Sequence, residues 1–228
     1  MPMDASAVVS GGTGGLGSAV TRTLLEVGWR VVVPYVNEHE LERVERHPNL
    51  ELVAADLFDP QAAAAVVAAA SGRLGALVNL VGGFASGGRV HETPVEDFER
   101  QFQLNLRPAY LLCQAALPRL IEGGGGSIVC VSTRAALRPF PGAAGYISSK
   151  AAVLAFVDAL AAEYTADGVR ANAILPSVID TPANRAAQPD ADHSRWVSPE
   201  QIARVIRFLC SDDSAPTSGA HIPVYGRA

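Results

Sequence analysis

Short apolar segments rich in β-branched residues alternate with longer segments of helical periodicity along the whole chain. Seven of the short segments are predicted to be strands: Ala5–Val9, Arg30–Val33, Glu51–Ala54, Ala76–Leu80, Ser127–Val131, Arg170–Leu175 and Ala220–Val224. Strands that alternate with helices are typical of βαβ units, in which helices cover both faces of a parallel sheet. The pattern therefore predicts an α/β fold with a doubly wound parallel sheet of about seven strands.

Several helix starts are marked by an N-cap residue three positions before an acidic or amide residue. These pairs are Asn37 with Glu40, Thr93 with Glu96, and Ser198 with Gln201. Asp59 followed by Pro60 marks a further start, because a proline in the first helical position gives up no intrahelical hydrogen bond. One long helix is predicted from Thr93 to Leu120.

Length and composition favour one soluble domain over residues 1–228, since 49% of the 228 residues are hydrophobic and can form a sizeable core. The net charge of −5 and the pI near 5.5 argue against a nucleic-acid-binding surface. The N-terminus lacks the cationic start and apolar core of a signal peptide, and the longest strongly apolar helical run, Ala62–Ala70, is too short to cross a bilayer. We therefore expect a cytoplasmic protein that binds neither nucleic acid nor a membrane.

Cysteines and histidines show none of the spacings of a disulfide framework or a metal site. Cys113, Cys130 and Cys210 are far apart, odd in number and free of a Cys-x-x-Cys pair, which predicts reduced thiols. The five histidines form no His-x-x-x-His pair or mixed ligand cluster. We expect no bound metal.

A glycine-rich turn, Ser10–Gly17 (SGGTGGLG), follows the first predicted strand and leads directly into a helical pattern. Glycines permit a tight turn and close approach to a pyrophosphate, which the N–H groups and dipole of a helix N-terminus attract. Two spacings fit dinucleotide-binding motifs: Gly12, Gly14 and Gly17 form G-x-G-x-x-G, and Gly11, Gly15 and Gly17 form G-x-x-x-G-x-G. The turn predicts a dinucleotide site, and the missing Gly-Lys-Ser/Thr argues against a Walker loop.

The end of the second predicted strand should select between NAD and NADP, because an acidic residue there binds the ribose hydroxyls and a basic one the 2′-phosphate. Tyr35 stands about where the acidic residue is usual, and Val36 where a basic residue often follows. Gly14 supplies no cation from the turn, and Glu38 could reach a ribose, although it fits the first turn of its own helix. These residues favour NAD slightly over NADP.

Tyr146 and Lys150 lie four residues apart in an apolar, alanine-rich segment that predicts a helix, so both side chains share one helix face. A tyrosine with the ordinary pKa of about 10 is a hydrogen-bond donor at neutral pH, and a neighbouring cation favours the phenolate. The pair could therefore act as a general acid/base. The spacing alone would favour a surface tyrosine beside a snorkelling lysine, so the assignment depends on the rest of the chain.

Ordered motifs along essentially the whole chain resemble those of the classical short-chain dehydrogenase/reductases. They are Gly11, Gly15 and Gly17, Asp56-Leu57, Asn79-Leu80-Val81-Gly82, Asn105, Ser132-Thr133, Tyr146-x-x-x-Lys150 and the segment Pro176–Pro182. The resemblance implies a Rossmann-type domain and an NAD(P)-dependent oxidoreductase that transfers a hydride between the nicotinamide and a carbonyl or alcohol.

The resemblance also implies roles for individual residues. The catalytic tetrad would be Asn105, Thr133, Tyr146 and Lys150. Tyr146 would exchange the substrate proton, Lys150 would lower its pKa and bind the nicotinamide ribose, and Asn105 would hold a water that links the lysine to solvent. The cofactor would be bound by Gly11, Thr13, Gly15, Leu16, Gly17, Tyr35, Asp56, Leu57, Asn79, Val81, Gly82, Tyr146, Lys150, Pro176, Val178, Ile179 and Thr181.

Some of these residues also have purely structural explanations. Asp56 would contact the adenine and Asn79 would stabilise the strand end beside the cofactor, as the resemblance has it. Local chemistry alone would make Asp56 a loop cap, Asn79 a turn residue and Asn105 a satisfied polar group of a helix.

Two features depart from the family pattern. Thr133 stands thirteen residues before Tyr146, where the family usually has a serine, and Ser132 precedes it. Neighbours on a strand end point to opposite faces, so only one hydroxyl can face the site, and Thr133 is the predicted one. Only residues 183–197 separate the Pro176–Pro182 turn from the next predicted helix, which predicts an open site without a long lid.

Two regions are similar to quinonoid dihydropteridine reductases. The first is Gly82–Gly88, and the second consists of Leu175–Arg185, Gln188–Asp192 and Ser194–Trp196. The substrate therefore stays open between a carbonyl or alcohol and a pteridine-like ring, although Thr133 favours ordinary carbonyl chemistry and the acidic cofactor residue of those reductases is missing. A different class would be an inactive, cofactor-binding regulatory protein, which would have no chemical need for both Tyr146 and Lys150.

The predicted helix from Thr93 to Leu120 and the helix carrying Tyr146 are apolar on more than one face. This is more apolar surface than one side of a sheet would cover. Dehydrogenases that this chain resembles pair these helices across a two-fold axis, so we expect a homodimer or homotetramer.

Overall fold

A computed structural model describes residues 5–227, except for the side chain of Arg43. Its seven strands form one sheet in the order β3-β2-β1-β4-β5-β6-β7, and every pair of neighbours is parallel. The strands are β1 (Ala5–Ser10), β2 (Arg30–Tyr35), β3 (Leu50–Ala54), β4 (Arg73–Asn79), β5 (Gly126–Val131), β6 (Val169–Pro176) and β7 (His221–Val224). The predicted α/β class and all seven predicted strands are confirmed.

Helices connect these strands and cover the sheet. The α-helices of the described chain are α1 (Gly17–Glu26), α2 (Pro60–Ala69), α3 (Val95–Asn105), α4 (Arg107–Glu122), α5 (Ala144–Tyr164), α6 (Pro182–Ala187) and α7 (Pro199–Cys210). Short 3₁₀ helices lie at Glu38–Arg43, Val90–Glu92, Arg134–Ala136, Thr165–Asp167, His193–Arg195 and Asp212–Ser214.

Each face of the sheet has its own hydrophobic core, because successive side chains of a strand point to opposite faces. Val8 and Val32 belong to the core formed with α2, α4 and α5. Val9 and Val31 belong to the core formed with α1 and α7. The sheet is therefore doubly wound, as the alternating pattern predicts.

The single helix predicted from Thr93 to Leu120 is wrong, because two helices, α3 and α4, meet at Leu106. Pro108 lies in the first turn of α4, where its missing N–H and its ring disfavour a continuous helix. The break leaves Asn105 buried at the C-terminal end of α3.

Two of the predicted helix caps are present. Ser198 and Gln201 form a reciprocal capping box at the start of α7. The Asp59 carboxylate accepts a hydrogen bond from the N–H of Gln61 at the start of α2. Such caps satisfy N–H groups that have no partner within the helix.

The other two predicted caps make no side-chain capping bond, although Asn37 does stand at the N-cap position of its helix. The start of α3 has no side-chain cap, and the Thr93 hydroxyl donates to backbone carbonyls of the preceding loop. Asn37 makes no side-chain bond to the 3₁₀ helix that follows it. The Glu40 side chain turns instead to the glycine-rich turn, where Thr13 donates to it.

The order of the strands reverses between β1 and β4, and in such sheets ligands bind in the crevice at the carboxyl ends of the strands flanking this point. The loops that leave β1 and β4 lie close together there. A Cβ atom on Gly11 would be 3.2 Å from the backbone nitrogen of Val81, and the φ angle of Gly11 is +69°. This turn therefore requires a glycine.

The helix α5 and the turn after it, Ala144–Asp167, are long and apolar enough to cross a membrane by length and composition alone. The prediction that Ala62–Ala70 is the longest strongly apolar helical run is therefore wrong. Val153, Val157 and Leu160 of α5 are buried in the sheet core, so the helix passes this test as a core helix of the fold.

Candidate active site

Lys150 is a buried cation beside the carboxyl end of β5. Its side chain is 5% exposed, and Nζ donates to the carbonyl oxygen of Val131, the last residue of β5, at 3.0 Å. Burial lowers the pKa of Lys150 from 10.5 to about 8, while the charge of Cys130 acts in the opposite direction. The ammonium therefore titrates close to the physiological range.

Tyr146 lies one helical turn before Lys150 on α5. Burial raises the pKa of Tyr146 above its ordinary value of 10.0, and a hydrogen bond with the Thr133 side chain lowers it in part. The lowering of this pKa by Lys150 stays a prediction, since the lowering found here comes from Thr133. The phenol is therefore protonated at neutral pH and able to donate a proton.

Ser132 and Thr133 point in different directions, as neighbours at a strand end do. The Ser132 hydroxyl is buried and donates to the backbone carbonyl of Lys150 at 2.7 Å. Thr133 lies near enough to Tyr146 for its side chain to lower the phenol pKa, and its hydroxyl accepts from the N–H of Ala135 at 3.2 Å. The structure thus brings Thr133 to the phenol, whereas Ser132 anchors α5 to the sheet.

Asn105 is held on both sides of its amide group. Its Nδ2 donates to the Ser149 hydroxyl at 3.1 Å, and its Oδ1 accepts from the N–H of Gly83 at 3.0 Å. A Cβ atom on Gly82 would lie 2.6 Å from Asn105 Oδ1 and 2.9 Å from Lys150 Nζ. Asn105 Oδ1 and Lys150 Nζ therefore pack directly against Gly82, and a side chain at this position would displace them.

Two aromatic rings, those of Phe84 and Phe140, lie near Tyr146, and the sequence pattern did not predict this grouping. The ring of Phe84 stands edge-on to Tyr146, with centroids 5.0 Å apart, and Phe140 lies 6.4 Å from Phe84. Phe84 is 61% exposed and Phe140 43% exposed. Next to Tyr146 lies a cavity of about 270 Å³, bordered by the loop Ala85–Gly88 and the start of α3. Large exposed aromatic rings such as Phe84 and Phe140 are typical of a binding surface.

The glycine-rich turn has the form that a pyrophosphate needs. A Cβ atom on Gly17 would lie 1.9 Å from the carbonyl oxygen of Gly11, so this position admits only glycine. Gly15 is exposed, and a Cβ atom there would meet only the Thr181 side chain, at 2.9 Å. Leu16, the N-cap of α1, offers no side-chain cap, and no acidic residue follows in the first turn. The N–H groups of this helix start therefore suit a dinucleotide phosphate.

Most other predicted cofactor residues lie at the same edge of the sheet. Tyr35 and Pro176 end β2 and β6, Val81 and Gly82 follow β4, and Val178, Ile179 and Thr181 follow β6. Thr181 is the N-cap of α6 and accepts from the N–H of Asn184 at 3.2 Å. Thr13 is buried within the glycine-rich turn.

Three predicted residues are held by structural contacts. Asp56 is exposed and accepts from the N–H of Phe58 at 3.0 Å, which is the loop-cap arrangement. Leu57 is buried in the core. Asn79 is also buried, and its Nδ2 contacts the sulfur atoms of Cys113 and Cys130 at 3.6 Å each.

The segment after β6 is short, as the sequence predicts. It contains the helix α6 and a 3₁₀ helix, His193–Arg195. Asp180 and Arg185 form a two-pronged ion pair within it, and this hydrogen bonding lowers the pKa of Asp180. Within residues 5–227, no group of three or more His, Cys, Asp or Glu side chains could hold a metal ion.

Comparison with known proteins assigns the class that the fold and this site define. The profile of the family described as enoyl-(acyl carrier protein) reductase matches residues 11–226. A 2-(R)-hydroxypropyl-CoM dehydrogenase from Xanthobacter autotrophicus is 33% identical, over 98% of this chain and 98% of its own length. A D-threitol dehydrogenase from Mycolicibacterium smegmatis is 31% identical, over 96% of this chain and 91% of its own length.

Solved structures agree with this class. A structure described as a candidate NAD(P)-dependent gluconate 5-dehydrogenase from Beutenbergia cavernae, with bound NADP, superposes with a TM-score of 0.87 at 26% identity, covering 99% of this chain and 98% of its own. The chain belongs to the short-chain dehydrogenase/reductase family. It is an NAD(P)-dependent oxidoreductase of the kind that acts on alcohol and carbonyl groups.

Proposed function

We propose that Tyr146 is the general acid/base for interconversion of a carbonyl and an alcohol, with Thr133, Lys150 and Asn105 as its partners. The observation that carries this proposal is the position of Tyr146, which lines a cavity and lies one helical turn from the buried Lys150, with Thr133 near enough to lower its pKa. When bound, the nicotinamide supplies or accepts the hydride.

In the reducing direction Tyr146 Oη donates its proton to the carbonyl oxygen, which the Thr133 hydroxyl polarises. The buried Lys150 ammonium stabilises the phenolate that remains. A water held by Asn105 would link Lys150 to solvent and return the proton.

A second candidate substrate is a planar, pteridine-like ring. The exposed Phe84 and Phe140 beside Tyr146 support it, because aromatic side chains bind flat rings by edge-on or offset contacts. An inactive, cofactor-binding regulatory protein is the alternative of another class. Turnover with a panel of aliphatic and aromatic carbonyls and a quinonoid dihydropteridine distinguishes the three.

The proposed tetrad is tested by a set of variants at Ser132 and Thr133, the two residues that follow β5. We expect Thr133→Ala to lower kcat by about a hundredfold or more, Thr133→Ser to retain most of it, and Ser132→Ala to have a mild effect. The reason is that the Thr133 side chain influences the pKa of Tyr146, whereas the Ser132 hydroxyl is bound to the backbone carbonyl of Lys150. Steady-state kinetics with the best carbonyl of the panel measures all three, and the opposite ranking would assign the role to Ser132.

For the cofactor, we propose a preference for NAD over NADP. Its support is that neither the glycine-rich turn nor Tyr35 and Val36 offers a cation for a 2′-phosphate. The related Beutenbergia cavernae structure contains NADP, so the preference must be measured on this chain.

We also propose a cytoplasmic homodimer or homotetramer assembled through α4 and α5. Tyr110 on α4 is 50% exposed and lies 5.9 Å from the ring of Phe156 on α5, so an apolar surface crosses both helices. Tyr110→Asp should shift the protein to a smaller species in light scattering. A wild-type monomer at micromolar concentration would contradict this proposal.

A further inference from the structure

A carboxylate from outside the glycine-rich turn is bound to it. Thr13 Oγ1 donates to Glu40 Oε2 at 2.6 Å, a short bond typical of a charged acceptor. Thr13 is 3% exposed, and Glu40 lies on the 3₁₀ helix Glu38–Arg43 that follows β2. The bond therefore joins the phosphate-binding turn to the segment that follows β2.

This arrangement is not what the sequence pattern of the segment predicts. Glu40 should cap its own helix together with Asn37, but Asn37 makes no side-chain cap bond. Position 35, at the end of β2, holds a tyrosine in place of the acidic residue usual there. A carboxylate nevertheless reaches the turn, from five residues farther along the chain.

We propose that Glu40 is the residue that selects NAD over NADP. The inference rests on the proposed dinucleotide site, where the adenosine ribose lies between the glycine-rich turn and the end of β2. Oε2 is fixed by Thr13, and the other carboxylate oxygen accepts from a ribose hydroxyl. A 2′-phosphate at this place would bring about two further negative charges against the carboxylate.

Glu40→Gln tests the proposal because the amide keeps an oxygen for Thr13 and loses the charge. Calorimetric titration of the full chain with NAD and with NADP gives two dissociation constants. We expect the ratio of the NADP constant to the NAD constant to fall by about tenfold or more. Thr13→Val removes the hydroxyl that holds the Glu40 carboxylate, at nearly constant side-chain volume. This variant should therefore bind NAD more weakly than the wild type.

Glu42→Gln is the matched control. Its side chain is 79% exposed on the same 3₁₀ helix, where it lies 3.7 Å from His39, and the change in net charge is identical. We expect the ratio to stay within about twofold, since exposed charges are screened by salt. An equal shift in both variants would overturn the proposal, as would no shift in Glu40→Gln.

Arg43→Gln is a further variant for this test, because Arg43 is the arginine in the sequence of the same 3₁₀ helix. If Arg43→Gln weakens NADP binding while Glu40→Gln leaves the ratio unchanged, selection belongs to Arg43 and the proposal for Glu40 is wrong. If the folded wild type binds neither dinucleotide, the proposed function fails and this inference fails with it. Binding of both with an unaltered ratio in Glu40→Gln refutes the inference alone.

Discussion

Replacing Tyr146 with phenylalanine is expected to abolish most turnover and to leave dinucleotide binding nearly unchanged. The change removes one hydroxyl, while the ring still packs edge-on against Phe84. General acid–base catalysis contributes about a hundred- to ten-thousandfold, so kcat should fall by that factor. Steady-state kinetics with a carbonyl substrate and calorimetric titration with the dinucleotide measure the two effects separately.

Tyr164→Phe is the control for this prediction. Tyr164 is the last residue of α5, far along the same helix from the site, and its loss of a hydroxyl should leave kcat unaltered. If Tyr146→Phe kept near-full activity, the substrate proton would have to come from another group, and the assignment of the acid/base would be wrong.

Replacing Gly15 with valine is expected to weaken dinucleotide binding on the order of a hundredfold or more while the fold survives. The new side chain would occupy the space of the pyrophosphate. Within the protein a Cβ atom there meets the Thr181 side chain, at 2.9 Å from Cγ2 and 3.2 Å from Cβ, and no backbone atom within 4 Å. Calorimetry measures the affinity, and thermal unfolding checks the fold.

Substitutions at two other glycines are needed to interpret the Gly15→Val result. Gly87→Ala is the control, because nothing lies within 4 Å of a Cβ atom at that position and it is outside the turn. Gly17→Val should instead prevent folding, since its Cβ atom would collide with backbone at 1.9 Å. Unchanged affinity in a folded Gly15→Val variant would refute the dinucleotide site at this turn.

The strands and the alternation of Ser132 and Thr133 were predictable because they depend on local patterns. A run of β-branched residues bounded by turn residues predicts a buried strand. The two-residue period of a strand then decides which of two neighbouring side chains faces the site. The break at Leu106 was also visible in the sequence as Pro108, but the apolar pattern on both sides of it predicted one helix.

Contacts between distant segments were not predictable from such patterns. Glu40 and Thr13 are 27 residues apart, and the local capping rule assigned Glu40 to its own helix. Likewise, Phe84 reads as a loop residue until α5 places Tyr146 beside it. The pKa of Tyr146 depends on the balance of burial and one hydrogen bond, which only the packed structure contains. The catalytic and cofactor roles of the individual residues stay predictions until the variants are measured.

Because Lys150 is buried, the stability of the fold varies with pH in the alkaline range. Its pKa falls from 10.5 in the unfolded chain to about 8 in the folded one, so between these values the unfolded state binds more protons. The free energy of unfolding therefore rises as the pH increases from about 8 to 10.5, by on the order of 3 kcal/mol for this group. At neutral pH, where Lys150 is protonated in both states, the cost of burying its charge lowers the stability of the folded protein by this whole amount. The cation is thus a standing source of instability, and mutants selected for heat resistance alone should tend to lose it.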